Sequence, residues 1–449
     1  MKTVLILGSD FSPSSLPPAT RIRFFAKHLP KFGWQPLVLT TEPRFYEWPI
    51  DPENGGLLAP SLEVIRTKAL STRWTRKVGV GDIGMRTLWY HWQAIKSLCR
   101  VRRIDLIFIP VPPSVPMVLG RLAYRKFGIP YVIDYIDPWV TDSYKKLPRS
   151  QRPPKWFFAN ALSRTLEPFA LRNVAHITGV SAGTTSGVIQ RYKWLTKDDA
   201  TEIPYGAEAD DFKYLRQQPR RNTIFDQEDG LAHLSYVGAC IPAMHDSVRA
   251  LFSAVRMGLE CAPEKFLRLR LHFIGTSYSN GNERRDVMKL AQESGIEGYV
   301  DERPGRIPYL ESLQVMLDSK ALFLLGSDEP HYTASKTFPY ILAERPLLAI
   351  FHEESSVVRI LHETGAGEVV TFNAARNPTD SVVEIYEQLS TLTSRSYKMN
   401  TNWDAFGSYT TEAMSKRLAD VFDRELRRLE RAEVINQPKI GEANIRIWK

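Results

Sequence analysis

Apolar positions near the start of the chain come in short continuous runs separated by longer mixed stretches. Val4–Leu7 is wholly apolar, the loop from Gly8 to Pro18 is rich in Ser and Pro, Ala19–Phe32 spaces its apolar residues helically, and Pro36–Leu39 is apolar again. Runs that are apolar on both faces suit buried strands of a parallel sheet, and the amphipathic stretch between them suits a crossover helix. Gly33 is placed to stop that helix. The alternation resumes with strand Leu106–Ile109, helix Val115–Phe127, strand Tyr131–Ile136, strand His176–Val180 and helix Ala182–Tyr192. This predicts one doubly wound α/β domain over residues 1–212.

Between Lys213 and Gly230 the periodicity lapses into a polar stretch, RQQPRRNTIFDQEDG, which predicts a linker over 213–231. A second alternating series follows over 232–400: strand Leu234–Val237, helix Asp246–Met257, strand Leu269–Ile274, helix Arg284–Ser294, strand Ala321–Leu325, helix Ser335–Ala343 and strand Leu347–Phe351. In the segment 401–449, Met414, Leu418, Val421, Phe422 and Leu426 fall at helical spacing, which predicts a long amphipathic helix over Thr411–Arg431. Two Rossmann-like halves joined by a linker open a cleft between the carboxyl ends of two sheets, where open α/β sheets bind ligands.

The cleft chemistry is narrowed first by what the sequence lacks. No G-x-G-x-x-G follows the first strand and no G-x-x-x-x-G-K-[ST] occurs anywhere, which argues against a dinucleotide dehydrogenase or a P-loop NTPase. No H-E-x-x-H, Cys/His cluster or D-x-D pair offers a metal site, so metal independence is expected. Three separated cysteines, Cys99, Cys240 and Cys261, fit a reducing compartment, and no signal peptide or membrane span is read, so a cytoplasmic location is expected.

Several segments in order resemble the retaining GT-B glycosyltransferases of the large GT4-like group. They are LGSDFSPSSLPPATRIRFFAKHLPKFGWQPLVLTT, VIDYIDPWV, HITGVSAGTT, IPYGAEADDF, LSYVGA and GRIPYLESLQVMLDSKALFLLGSDEPHYTASKTFPYILAERPLLAIF, spread from about residue 3 to about residue 375. The resemblance implies a GT-B fold with an acceptor-binding first domain, a nucleotide-sugar-binding second domain and a last helix that crosses back to the first. It places Gly238, Arg306, Ser335, Lys336 and Thr337 on the donor side, and Arg21, Asp134 and Trp139 on the acceptor side, with Asp137 and Lys336 closest to the chemistry.

The residues support this reading on their own terms. Ser335 and Lys336 open a helix after a strand and loop, where backbone N–H groups and an ammonium suit a diphosphate. Arg306, in the loop PGRIPY, offers a second cation. Asp134 and Asp137 flank a strand end facing the cleft, Pro138 fixes the turn, and Trp139 is suited to stack on a sugar. Arg21 and Arg23 open the first helix, where one of them is placed for an anionic acceptor or donor phosphate, the alternative being that Arg23 or both are solvated. A retaining transfer asks little of side chains, because the leaving phosphate itself accepts the acceptor proton; the main electrostatic task is to stabilise that phosphate.

Two departures from the group stand out. Pro339 occupies the place of the glutamate usual in SK-x-F-E-Y, and Gly238-Ala239-Cys240 followed by Met244-His245-Asp246 lacks the basic pair usual after the YVG glycine. These leave open a catalytically silent GT-B protein that binds glycan or a partner, and a GT-B sugar-nucleotide epimerase is the other alternative. The expected activity is hexosyl transfer with retention from a nucleotide-sugar to a glycan or lipid-linked glycan in surface polysaccharide assembly.

Charge adds one more expectation. The chain carries a formal net charge of +9, and residues 66–103 hold ten Lys/Arg against the single acid Asp82, interleaved with Trp74, Trp89, Tyr90 and Trp92. On a helix from Thr87, Lys96, Arg100 and Arg103 form a basic stripe with Leu88, Trp92, Ile95 and Cys99 facing inward, an arrangement suited to peripheral contact with an anionic membrane. No nucleic-acid motif accompanies the charge, so no nucleic-acid partner is expected.

Overall fold

The computed structural model describes residues 1–48, 50–141, 156–277, 284–330, 332–394, 397 and 399–436. Its first sheet has seven parallel strands: β1 (Lys2–Leu7), β2 (Trp34–Thr41), β3 (Glu63–Thr67), β4 (Leu106–Val111), β5 (Tyr131–Tyr135), β6 (His176–Gly179) and β7 (Ala200–Glu202), in the order β3-β2-β1-β4-β5-β6-β7. The second has six: β8 (Ala232–Val237), β9 (Leu269–Ile274), β10 (Val300–Arg303), β11 (Ala321–Leu325), β12 (Leu347–His352) and β13 (Glu368–Phe372), in the order β10-β9-β8-β11-β12-β13. Every residue of β4, β11 and β12 is buried, as continuous apolar runs demand when helices cover both faces. The strand order reverses between β1 and β4 in one sheet and between β8 and β11 in the other, and the loops at these two switch points line one common cleft.

Seven helices position the site. They are α1 (Pro17–His28), α2 (Ile83–Val101), α3 (Met117–Phe127), α4 (Trp156–Leu171), α5 (Ala209–Gln217), α6 (Thr337–Leu342) and α7 (Thr411–Asn436). Two prolines start α1, where their missing N–H groups cost nothing, and its chain stops at Gly33 with φ of 83°. The α2 helix begins at Ile83, capped by Asp82, whose Oδ1 accepts from the Met85 N–H at 2.9 Å. It therefore starts earlier than Thr87 and ends before Arg103. Strands β3, β7, β10 and β13 and helices α4 and α5 complete the pattern beyond the predicted elements.

The segment read as a linker, 213–231, begins inside α5. Phe212, Leu215 and Ile224 are buried in the second domain's core with Leu310, Leu313 and Phe338, so the chain is committed to that domain before its polar stretch starts. The α7 helix returns to the first domain. Its Met414, Leu418, Ala419 and Phe422 pack among Val4, Ile6, Ile22, Phe25 and Phe108. Phe422 meets Trp34 edge-on at 5.1 Å, and Asp423 accepts from the Trp34 indole N–H at 3.0 Å and pairs with Lys2 at 2.7 Å. Wholly buried Leu418 and Phe422 each contribute about 1.5–3 kcal/mol by burial, which holds the two domains in one unit. The tail from 437 lies outside the described residues.

Candidate functional site: the interdomain cleft

A cleft of about 630 Å³ lies between the two switch points. The first domain lines it with the loop after β1, Asp10 and Ser15–Pro18 among it, with Pro112 and Pro113 after β4, and with Asp137 after β5. The second domain lines it with Gly238 and Ala239 after β8, Gly275 after β9, Arg306, and Ser335, Lys336 and Pro339 around the start of α6.

Lys336 is the central cation of this wall. Its ammonium lies 5.4 Å over the Tyr236 ring, and among the described residues no carboxylate pairs with it. Its side chain crosses the backbone at Gly238, where a Cβ would overlap its outer methylenes and Nζ; Gly238 also holds φ of 143°, and its N–H donates to the Ile274 carbonyl. Burial depresses the Lys336 pKa to about 8, and the like charge of Arg306 adds to the depression. An anion of two or more charges placed between Lys336 and Arg306 relieves both effects.

The α6 helix itself is short. Thr337 is buried, its N–H donates to the Ala334 carbonyl at 3.1 Å and its hydroxyl to the same oxygen at 2.9 Å, so it is not available as a donor-site ligand. Ser335 remains on the cleft wall. Pro339 lies in the first turn of α6, where a proline fits a helix, and its ring faces the cleft.

The acceptor-side residues divide differently from the sequence expectation. Arg21 reaches the cleft wall but its guanidinium is committed to Asp134, which does not line the cleft: Nε and Nη2 of Arg21 donate to the two Asp134 carboxylate oxygens at 2.6 and 2.9 Å, and its Nη groups also donate to the carbonyls of Ile203 and Pro204. Thr178 adds a third donor to Asp134 at 2.7 Å. With Arg21 1% exposed and Asp134 wholly buried, the pair ties α1 to β5 and the strand end beyond β7, and Asp134 exposes no oxygen to the cleft. Arg23 is likewise spent, on Asp211 at 2.6 Å. Trp139 packs against the first domain's core with Leu166 and Phe169 and does not line the cleft.

Asp137 does line it. Its carboxylate is open to the cleft but hemmed by protein, and that partial desolvation, with the negative charge of Glu329 across the gap, raises its pKa. A residue missed from sequence is Asp10, at the carboxyl end of β1. It is almost fully buried at the cleft edge, and burial raises its pKa to about 6 against the opposing hydrogen bond from Ser14 at 3.0 Å. The signal was present as an acid in the loop that leaves the strand at the switch point, obscured by the Ser/Pro composition around it.

The basic stripe is also altered. Arg103 lies beyond α2 and pairs with Asp105 at 2.6 Å, and Lys96 is half-buried. Leu88, Trp92, Ile95 and Cys99 pack inward as the spacing predicts.

Comparison with known proteins decides what this geometry belongs to. Residues 18–206 match the family described as glycosyl transferase 4-like domain. Among curated proteins none matches this sequence. Solved structures match over nearly the whole length. HepE of Anabaena, in complex with UDP-glucose, is 14% identical with a TM-score of 0.56, over 96% of this chain and all of that one. The α,α-trehalose 6-phosphate synthase of Burkholderia multivorans is 13% identical with a TM-score of 0.62, over 99% of each chain. The lipopolysaccharide outer core galactosyltransferase WaaB is 14% identical with a TM-score of 0.53, over 95% of this chain and all of that one. The chain has the GT-B fold, two Rossmann-like domains facing a cleft with a cross-over helix.

Proposed function

We propose that this protein is a glycosyltransferase that moves a hexose from a nucleotide-sugar to a glycan or lipid-linked glycan, with retention, in surface polysaccharide assembly. The observation that carries the reading is Lys336, an ammonium without a carboxylate partner among the described residues, set in the cleft beside Arg306. A diphosphate leaving group supplies the missing negative charge, and the cations stabilise it as it departs. In this reading the leaving phosphate accepts the acceptor proton, and Asp137, on the opposite wall, contacts a hydroxyl of the transferred sugar or the acceptor. The complex of HepE with UDP-glucose supports a uridine nucleotide as the first donor to try.

Transfer in this reading needs no divalent ion, because Lys336 and Arg306 neutralise the diphosphate. Excess chelator leaves the rate unchanged; complete loss, restored by Mg²⁺ or Mn²⁺, contradicts metal independence. The silent-binder alternative rests on Pro339 facing the cleft where a ribose-binding carboxylate is usual in the group the sequence resembles. A coupled assay of nucleoside diphosphate release separates the two: a transferase releases it from a matched donor and acceptor, whereas a silent binder binds the nucleotide and releases nothing.

A further inference from the structure

Six large apolar side chains stand exposed at one end of the first domain: Leu70, Trp74, Val78, Trp89, Phe157 and Phe158. Trp74 is 65% exposed and Phe158 is 74% exposed, and it is their grouping at one end, rather than any single exposure, that marks an interaction surface. The topology brings them together. The α2 helix feeds β4, α3 leaves β4, and α4 feeds β6, so all three helices present their first turns at the carboxyl ends of the strands, where the cleft opens. They lie side by side, with Trp92 of α2 near Phe127 of α3 and Arg121 of α3 donating to the Phe169 carbonyl of α4 at 2.7 Å. Phe157 precedes Phe169 by about 18 Å of helix, so the first turn of α4 projects beyond that of α3.

The segment before α2 is fixed onto the same end. The buried Arg86 guanidinium donates from Nε to the Leu70 carbonyl at 2.8 Å, and the Leu70 N–H donates to the Arg86 carbonyl at 3.0 Å. The segment carrying Trp74 and Val78 is thereby anchored on the first turn of α2, and a few residues on, Gly81, Asp82 and Ile83 line the cleft itself. Charge on this patch is basic. Arg73, Arg76 and Lys77 are exposed around Trp74, with the Lys77 ammonium 4.9 Å over its ring, and Arg76 pairs with Glu47.

We propose that this end of the first domain docks on an anionic lipid bilayer, with Trp74, Val78, Trp89, Phe157 and Phe158 entering the interface and Arg73 and Lys77 facing the headgroups. Tryptophan and phenylalanine beside basic residues suit the boundary between headgroups and acyl chains, and the basic excess selects an anionic surface. The patch adjoins the cleft mouth, so docking presents the cleft to groups carried on the membrane surface. It replaces the stripe of Lys96, Arg100 and Arg103, which lies toward the far end of α2 with one member half-buried and another paired. The proposal stands apart from the transfer reading, because vesicle binding is measured without donor or acceptor.

The test is co-sedimentation of the full chain with vesicles of phosphatidylcholine mixed with phosphatidylglycerol, and with phosphatidylcholine alone. The wild type should bind the mixed vesicles at low salt, bind neutral vesicles about tenfold less, and be released as salt screens the surface. Changing Trp74, Trp89, Phe157 and Phe158 together to serine should reduce binding by about tenfold or more at unchanged nucleoside diphosphate affinity. The milder Trp74→Ser/Val78→Ser pair should reduce it in the same direction, and serves if the fourfold variant does not fold. Arg73→Gln with Lys77→Gln should remove the preference for anionic vesicles, while Lys96→Gln with Arg100→Gln should keep it. Failure of the wild type to bind anionic vesicles at low salt, equal binding to neutral vesicles, or unaltered binding by the aromatic variants overturns the proposal.

Discussion

Gly238 and Lys336 occupy one space: the lysine side chain passes where a Cβ on the glycine would be, and the ammonium reaches the cleft only because position 238 has none. Gly238→Ala is therefore expected to act as a lysine mutation at a distance, displacing Lys336 as well as straining a backbone with φ of 143°. Its affinity for UDP should fall by about tenfold or more, about 1.4 kcal/mol, close to the loss in Lys336→Ala, and the two losses should not add in the double variant. Isothermal titration of the three variants checks this; additive losses would show that the two residues act separately.

The Lys336 pKa of about 8 gives diphosphate binding a pH signature. The lysine is cationic below that value and loses its proton above it, so affinity should hold below pH 8 and then fall about tenfold per unit until the pKa of the bound form is reached. Lys336→Arg, whose guanidinium stays protonated, should flatten the profile even if it binds less tightly. A wild-type affinity that stays constant from pH 7 to about 9.5 would place the charge elsewhere.

Arg21 and Asp134 are a buried ion pair whose first role is structural. Removing one partner leaves the other charge uncompensated, so Arg21→Met or Asp134→Asn should lower stability by about 3–5 kcal/mol. The apolar pair Arg21→Met/Asp134→Leu should recover part of it. Denaturant titration measures the losses, and UDP affinity of the variants that remain folded should stay near the wild type.

Much of the fold was legible because parallel strands are buried on both faces and read as apolar runs: Ala321–Leu325 is unbroken, Leu269–Ile274 (LRLHFI) keeps its apolar residues despite Arg270 and His272, and both end where the sequence places them. Edge elements were not. Strand β3 reads EVIRT and is half-exposed, and β7 has three residues, so neither carries a run long enough to register. The helix α5 was hidden by its acidic and basic residues, although Phe212 and Leu215 sit on one face of it. At the site, Lys336, Arg306, Ser335, Gly238 and Asp137 line the cleft because they follow strand ends, a position that sequence order fixes. Arg21 lines it too but is tied to Asp134, and Asp134, Thr337 and Trp139, at similar positions in sequence, are turned to partners far along the chain or on the adjoining turn. Only the fold shows that Asp134 is buried and held by Arg21 and Thr178.

The central claim is that the cleft binds and breaks a nucleotide-sugar through Lys336. Proton NMR of a panel of nucleotide-sugars, UDP-glucose first, incubated with the protein and a polysaccharide or lipid-linked acceptor fraction, tests it directly. One donor's anomeric signal is expected to disappear as free nucleoside diphosphate and a product with the donor's anomeric configuration appear, and all three changes are expected to be lost in Lys336→Ala. A product of opposite configuration would contradict retention, and donor turnover undiminished in Lys336→Ala would contradict the site.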